Sequence, residues 1–386
     1  MTKDRILHLF SNFRKTGPAE PMLNLCVTLQ SRGWDISAAF SKPLPWNDDD
    51  LTDIAAGLGI KVVRGFNLDK HFLITDDFED ISLLTRYIRE ARIRLIHAHM
   101  DNDHLVAAMA ARRGGYAVKV VRSFYDSGAA RKTFRTPFMY GRATDMVIAF
   151  SENAADSLAR TFRLPKERVT VVDGAVDLRR FDPGRGLDGA RRELGLDAQN
   201  IVIGIVARVQ ARRRFDLLLE AFKQASESCS SLRLLIVGRG GGMEEVAIKP
   251  AERMGVRDKV IFTGYRPGDE YVRTLNSMDA KVYLIPGTDG TCRAVREAMA
   301  MGRPIIATRR GMLPELVDDG KTGLLVDETP AALAEAMLKV AGDAGLRARL
   351  GAAAREKALG RFSLEQQAER IEAVYHKLLG GGAEIR

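Results

Sequence analysis

Short apolar runs alternate with longer segments of helical spacing along the whole chain. In the first half the runs are RILHLF (5–10), DISAAF (35–40), IKVV (60–63), RLIHAH (94–99), VKVV (118–121), MVIAF (146–150) and RVTVV (168–172). Between them, EPMLNLCVTLQSRG (20–33) and DDFEDISLLTRYIREARI (76–93) place apolar residues three and four apart, the spacing of a helix with one buried face. A second series opens at IVIGIVAR (201–208) and continues through LRLLIVG, KVIFTG, AKVYLI, PIIAT and TGLLV. Repeated β-α-β order predicts parallel sheets covered by helices on both faces, here two doubly wound α/β domains.

The break falls in DGAVDLRRFDPGRGLDG (173–189), where Gly, Asp and Pro cluster and the periodicity lapses, so this segment reads as the interdomain hinge. The expected domains are residues 1–175 and 176–363. Two helical patterns follow TGLLV: AALAEAMLKVAGDAGLRARLGAAAREKAL as one stretch, and LEQQAERIEAVYHKLLG after the cap signal Ser363. The last pattern, about 364–380, could pack back on the N-terminal domain. In open parallel sheets ligands bind beyond the carboxyl ends of strands, so the predicted site lies in a central cleft that the two domains face.

A chain of 386 residues, 46% hydrophobic and 28% charged, supports two ordinary cores and carries no low-complexity tract. No apolar run reaches the roughly 18 residues of a membrane span, and the start MTKDRILHLFSNF has charges where a signal peptide is apolar. The expectation is a cytoplasmic protein. Its three cysteines, Cys26, Cys229 and Cys292, are far apart and odd in number, which argues for reduced thiols. The net charge of +9 favours anionic partners, and without any nucleic-acid motif these are expected to be phosphorylated molecules or lipid headgroups, not nucleic acid.

Candidate chemistry gathers at strand exits of the second half. In IPGTDGTCRAVREAMAMGRPIIA (285–307), a small-residue loop leads into a helix whose free N–H groups near Thr291 and Cys292 suit a phosphate, while Glu297 lies two turns on. In IVARVQARRRFDLLLEAF, Arg208, Arg213 and Arg214 flank a strand-to-helix loop, and guanidinium forks match diphosphate oxygens. VGRGGGMEE supplies Gly238 and Gly240 where backbone could approach a ligand, and FTGYRP places Tyr265 and Arg266 where a planar base could rest. Taken singly, each also reads as a solvated loop or an ordinary glycine turn.

The order TGPAE, RLIHAH, VIAFSE, VVDGAVDLRRFDP, VARVQARRRFDLLLEAF, LLIVGRGGG, VIFTGY, DGTCRAVREAMAMGRPIIAT and GLLV resembles that of GT-B glycosyltransferases, family 4, over most of the chain. The resemblance implies transfer of a sugar, with retention, from a nucleotide diphosphate-sugar held by the C-terminal domain to a glycan or lipid-linked acceptor in the N-terminal domain. It implies no cofactor and no metal. On this resemblance Arg208, Arg213, Asp289, Glu297 and Tyr125 are the catalytic set. Gly238, Gly240, Tyr265, Arg266, Gly290, Thr291, Cys292 and Arg293 hold the donor, and Gly17, Pro18, His99 and Asp101 face the acceptor.

Several positions depart from the family pattern. Asp289 replaces the first of two glutamates spaced seven residues apart, and Arg213-Arg214 replaces Lys-Gly. Gly17-Pro18 replaces Gly-Gly, Asp173-Gly174 replaces Asn-Gly, and Tyr125, beside Asp126, replaces a histidine. Tyrosine is a poor proton acceptor near neutral pH, but in a front-face retaining transfer the leaving phosphate can take the acceptor proton. Loss of that histidine keeps open a non-catalytic sugar-nucleotide-binding protein, a sugar-nucleotide epimerase or a general polyanion binder.

Three further features bear on partners. His97, His99 and His104 are metal-ligand types, but their strand-exit and helix positions argue for other roles. Asp48-Asp49-Asp50 precedes a helical pattern and reads as a cap. The segment 129–142 interleaves Arg131, Lys132, Arg135 and Arg142 with Phe134, Phe138, Met139 and Tyr140, as in a basic amphipathic helix on anionic lipid, with Arg112, Arg113, Lys119 and Arg122 adding positive charge. Peripheral association with the inner membrane face is therefore a further expectation.

Overall fold

The computed structural model describes residues 4–14, 17–42, 50–114, 118–126, 132–187 and 189–380, with backbone only at 289–291. The chain divides into two compact units: Met1–Gly174 with Thr288–Thr291 and Leu364–Arg386, and Ala175–Gly287 with Cys292–Ser363.

The N-terminal unit holds a sheet of β1 (Arg5–Phe10), β2 (Asp35–Phe40), β3 (Lys61–Val62), β4 (Ile93–Ala98), β5 (Lys119–Phe124), β6 (Met146–Ala149) and β7 (Val169–Val171) in the order β3-β2-β1-β4-β5-β6-β7. Every pairing is parallel. Along β1 the side chains alternate: Ile6 and Phe10 enter one core with Ile36, Leu95, Val121 and Ile148, while Leu7 and Leu9 enter the opposite core with Ile96 and Val120. Burial of both faces explains why these strands read as continuous apolar runs.

The C-terminal unit repeats the plan with β8 (Ile201–Val206), β9 (Leu232–Val237), β10 (Val260–Gly264), β11 (Ala280–Tyr283), β12 (Ile305–Thr308) and β13 (Gly323–Val326), ordered β10-β9-β8-β11-β12-β13. Chain order reverses beside β8, so the exits of β8 and β11 diverge to opposite sides of the sheet.

The unit boundary at Gly174/Ala175 has a local cause. Asp173 is held in the N-terminal unit by Arg370, 2.7 Å away, and its carbonyl accepts from Gln367. Two residues on, the Val176 N–H donates to the Phe362 carbonyl, and Val176, Phe181 and Leu187 enter the core of the C-terminal unit.

The final helix, Leu364–Leu379, belongs to the N-terminal unit. Glu372 accepts from Arg32 Nε at 2.6 Å and from Trp34 Nε1 at 2.8 Å, and the Trp34 ring stands edge-on to Tyr375. Ala368, Ile371 and Tyr375 fill the core beside Met22 and Cys26.

Two expected helices take other forms. The pattern 331–359 breaks into Pro330–Gly342 and Ala344–Arg361 because Asp343 leaves the helical backbone and caps the second helix, accepting from the Leu346 N–H at 2.8 Å. The segment 129–142 is helical only from Thr136, as a short turn Thr136–Phe138 continued by a π-turn Met139–Ala143. Its Met139 and Tyr140 are buried, and Arg131 lies outside the described residues. Asp50 caps the helix Leu51–Gly57 through the Thr52 N–H, whereas Asp48 and Asp49 lie outside the described residues.

Removing the Glu372 carboxylate strands the buried Trp34 N–H. Glu372→Ala should cost about 1–3 kcal/mol. Hydrogen exchange should speed up in Leu364–Leu379 and leave β8–β13 unchanged; unaltered exchange in that helix would show that Glu372 does not anchor it.

Candidate functional site

In the C-terminal unit the chemistry begins where β8 ends. Arg208 is exposed, and Arg213 closes the 3-10 turn Ala211–Arg213 half-buried, its Nε without a hydrogen-bond partner. Among the described residues neither guanidinium forms an ion pair. Their neighbours are committed: Arg212 bonds Gln210, and Arg214 pairs with Glu328 at 3.0 Å and with Asp216 at 3.3 Å. Arg214 sits at φ 59°, a left-handed conformation that glycine adopts without strain, so the two carboxylates hold an arginine where the family has glycine.

The glycines after β9 meet backbone. A Cβ on Gly238 would lie 2.0 Å from the Ala207 carbonyl oxygen, and one on Gly240 would lie 2.1 Å from that of Val209. The Ala207 N–H donates to the Val237 carbonyl and that of Val209 to the Arg239 carbonyl, so the two exits run side by side beyond the sheet. Both glycines thereby fix the loop that carries Arg208. After β10, Tyr265 is 62% exposed with the Arg239 guanidinium 4.9 Å from its ring centroid, and Arg266 lies 3.7 Å from Glu270.

Glu297, on the helix Asp289–Ala300, is buried. The Tyr271 hydroxyl donates to its Oε2 at 2.5 Å, and Arg293 Nε approaches Oε1 at 3.1 Å. Burial, then the adjacent Glu297 charge, hold Tyr271 well above the usual phenol range, so it stays a donor. Lys281 is also buried; desolvation pushes it down to about 8 against the pull of Glu297, and its Nζ donates to the Ala294 carbonyl. A carboxylate offers about four lone-pair sites, so Glu297 keeps acceptor capacity beyond these two contacts.

The Cys292 side chain is fully buried against Gly287, where a Cβ would come within 1.8 Å of its sulfur. Only its backbone can face a ligand. Asp289, Gly290 and Thr291 open this helix, and their side chains lie outside the described residues.

In the N-terminal unit Gly17 and Pro18 lead into the helix Ala19–Ser31. Tyr125, just past β5, is buried and hydrogen-bonds His99 Nδ1 at 2.7 Å. His99 Nε2 meets His8 Nδ1 at 2.9 Å, while His97 bonds Tyr375 at 2.6 Å and Ser123 at 2.8 Å. His104 lies apart, bonded to Thr144, so it does not join His97 and His99; His8 takes that place. Ligand atoms of His8, His97 and His99 lie within 4.8 Å of one another, yet the His8 and His99 nitrogens point at each other and not at a common centre.

Asp101 is exposed and pairs at 2.9 Å with Arg122, which is buried and so adds nothing to a basic surface; Lys119 likewise pairs with Asp145. Asp103 accepts from the N–H groups of Ser11, His99 and Met100, tying the exits of β1 and β4 together. Burial pushes it up to about 7 against the pull of Arg122 and these donors. Beside these residues lies a cavity of about 880 Å³ bordered by Lys70, His71, Phe72, Arg135 and Asp126.

The sequence reading did not single out His8, Asp103, Tyr271, Lys281 or Tyr375. A histidine inside the apolar run RILHLF and a lysine inside AKVYLI were the available signals. Nothing local marked Tyr271, Asp103 or Tyr375.

Comparison places this arrangement in the GT-B class of glycosyltransferase folds. The solved glycosyltransferase from Rickettsia africae aligns over 98% of this chain and 99% of its own, with a TM-score of 0.85 at 16% identity. Anabaena HepE, solved with UDP and glucose, aligns over 96% and 98% with a TM-score of 0.76 at 19% identity.

The profile described as Glycosyltransferase Family 4 matches residues 18–180, and that described as Glycosyl transferases group 1 matches residues 188–357. A D-inositol 3-phosphate glycosyltransferase of Stackebrandtia nassauensis is 31% identical over 306 residues, 73% of this chain and 67% of the relative. That of Corynebacterium jeikeium is 32% identical over 248 residues, 62% of this chain and 58% of the relative. The chain thus matches between about half and two thirds of the length of these relatives. It belongs to glycosyltransferase family 4.

Burial makes the N-terminal histidines sensitive to acid. It holds His8 down to about 3, and His97, His99 and His104 well below their ordinary 6.5. Below pH 6.5 the unfolded chain binds protons that the folded chain refuses, so their contribution is complete above 6.5 and is lost as pH falls toward 3. Asp103, raised in the fold, acts in the opposite sense, one group against four. Denaturant unfolding should show stability falling from pH 6.5 to 5 by up to about 1.4 kcal/mol per pH unit for each net proton. A flat profile there would contradict burial of these rings in the neutral form.

Proposed function

We propose that the protein transfers a sugar from a nucleotide diphosphate-sugar to a phosphate-bearing glycan or glycolipid acceptor, with retention and without a metal or other cofactor. The observation that carries the reading is the pair of uncommitted guanidiniums, Arg208 and Arg213, at one strand exit of a family 4 chain, amid arginines that are paired. In this reading they bind the diphosphate and stabilise charge that develops on it as the sugar leaves. Glu297, oriented by Tyr271 and Arg293, accepts from the ribose hydroxyls. Tyr265 and Arg266 flank the base, and backbone N–H groups at 290–292 meet phosphate. The leaving phosphate takes the acceptor proton.

The acceptor side is supported by Lys70, His71 and Arg135 around the N-terminal cavity. Relatives named D-inositol 3-phosphate glycosyltransferases favour a phosphorylated polyol head on that acceptor. Apolar side chains stand exposed nearby: Phe134 at 87%, Ile74 at 64% and Phe78 at 62%, and Arg135 lies 3.7 Å over the Phe72 ring. Cationic and aromatic groups together suit an anionic bilayer surface, which would present a lipid-linked acceptor to a protein on the cytoplasmic side. Among the described residues no helix is long and apolar enough to cross a membrane.

Isothermal titration with a panel of nucleoside diphosphates and their sugars tests the donor site. One nucleotide class should bind, and Arg208→Ala, Arg213→Ala and Glu297→Ala should each weaken it about 10- to 100-fold, the loss of one charge-assisted contact. Binding that survives all three changes, or shows no base preference, would sink the assignment and favour a general polyanion binder. Selective donor binding without turnover would favour a non-catalytic protein, and a changed sugar with donor alone an epimerase.

A further inference from the structure

The polar groups beneath the last helix form one continuous line. His8 and His97 are direct partners across β1 and β4, and Ser123 and Tyr125 extend the same face onto β5. From one end the contacts run Ser123 Oγ to His97 Nε2 at 2.8 Å, and His97 Nδ1 to the Tyr375 hydroxyl at 2.6 Å. They continue from that hydroxyl to His8 Nε2 at 3.4 Å, His8 Nδ1 to His99 Nε2 at 2.9 Å, and His99 Nδ1 to the Tyr125 hydroxyl at 2.7 Å. All six ring nitrogens are used, and each ring is fully buried.

Proton counting restricts this line. A neutral imidazole donates from one nitrogen and accepts at the other. Since His8 Nδ1 faces His99 Nε2, one of them must carry the proton, so the two rings share a tautomer. The Tyr375 hydroxyl donates to one ring and accepts from the other, which extends the condition to His97. Only two arrangements then satisfy every group: all three rings protonated on Nδ1, or all three on Nε2. In the first, His99 donates to Tyr125, and the phenol proton is left to point elsewhere. In the second, Tyr125 donates to His99, and its oxygen is left to accept.

We propose that Ser123, His97, Tyr375, His8, His99 and Tyr125 act as one directional hydrogen-bond relay that sets whether the Tyr125 hydroxyl donates or accepts at the carboxyl end of β5. Tyr375, on the last helix, is a positioning residue that joins the two halves of the relay. Burial keeps the rings neutral, as the depressed basicity of His8, His97 and His99 requires. The consequence for transfer rests on the functional reading above, since it needs Tyr125 to meet the acceptor or the sugar; the tautomer coupling does not.

The test is long-range proton–nitrogen correlation NMR on the full chain with 15N-labelled histidine, on the unaltered protein and on Tyr375→Phe, with circular dichroism to confirm that the variant folds. The unaltered protein should show His8, His97 and His99 neutral and in one shared tautomer. In Tyr375→Phe, His97 Nδ1 and His8 Nε2 both lose their partner, and a bare acceptor is tolerated better in a buried site than an unpaired N–H. His97 should then carry its proton on Nε2 while His8 and His99 carry theirs on Nδ1.

Mixed tautomers in the unaltered protein, imidazolium signals at neutral pH, or ring signals displaced by stoichiometric zinc would overturn the relay. So would a variant that keeps all three rings alike. Once a donor and acceptor are in hand, Tyr375→Phe should lower kcat about fivefold or more with donor KM unchanged. Failure of that second measurement alone, with the tautomers as expected, would remove Tyr125 from the reaction and leave the relay standing.

Discussion

A parallel sheet buried on both faces satisfies its own backbone and leaves polar chemistry two places to go: the loops beyond its carboxyl ends, or the few side chains that the interior can fully pair. Both sheets here obey that constraint. In the C-terminal unit the arginines, the glycine exits and Tyr265 all follow strand ends. In the N-terminal unit a row of histidines lies under the last helix, and the six ring nitrogens find partners only because Tyr375, Ser123 and Tyr125 border the row. The return of residues 364–379 to the first unit therefore supplies a hydrogen-bonding group as well as apolar cover.

Pairing decides which charged groups remain available for a ligand. Of the arginines in 208–214, Arg214 is consumed by Glu328 and Asp216 and Arg212 by Gln210, which leaves Arg208 and Arg213. Arg122 is likewise spent on Asp101. Net charge thus overstates the cationic surface, and the distribution of carboxylates is what distinguishes a binding arginine from a structural one. Gly238 and Gly240 act on the same loop by steric means: they let it run against β9's exit at a separation no Cβ would permit.

Much of the fold was legible because strands buried on both faces are written as contiguous apolar runs, and each quoted run coincides with a strand. Arg208, Arg213 and Glu297 could be singled out because strand-to-helix loops are local features. The break at Asp343 was hidden by uniform helical spacing on either side, although its cap lies three residues before Leu346. The segment 129–142 misled because its aromatics serve different ends: Tyr140 stacks on Phe162 in the core, while Phe134 faces out. The contacts of Tyr271 with Glu297, and of Tyr375 with His97, join residues 26 and 278 positions apart, and no pattern along the chain records them.

The central claim is that the strand exits of the C-terminal unit hold a nucleoside diphosphate-sugar. Hydrogen–deuterium exchange of the full chain, with and without the nucleotide-sugar that binds, measures it directly. The account predicts slowed exchange at residues 207–214, 238–243 and 290–297, with β13 and the helix Pro330–Gly342 unchanged. Protection absent from those exits, or confined to the N-terminal unit, would contradict it.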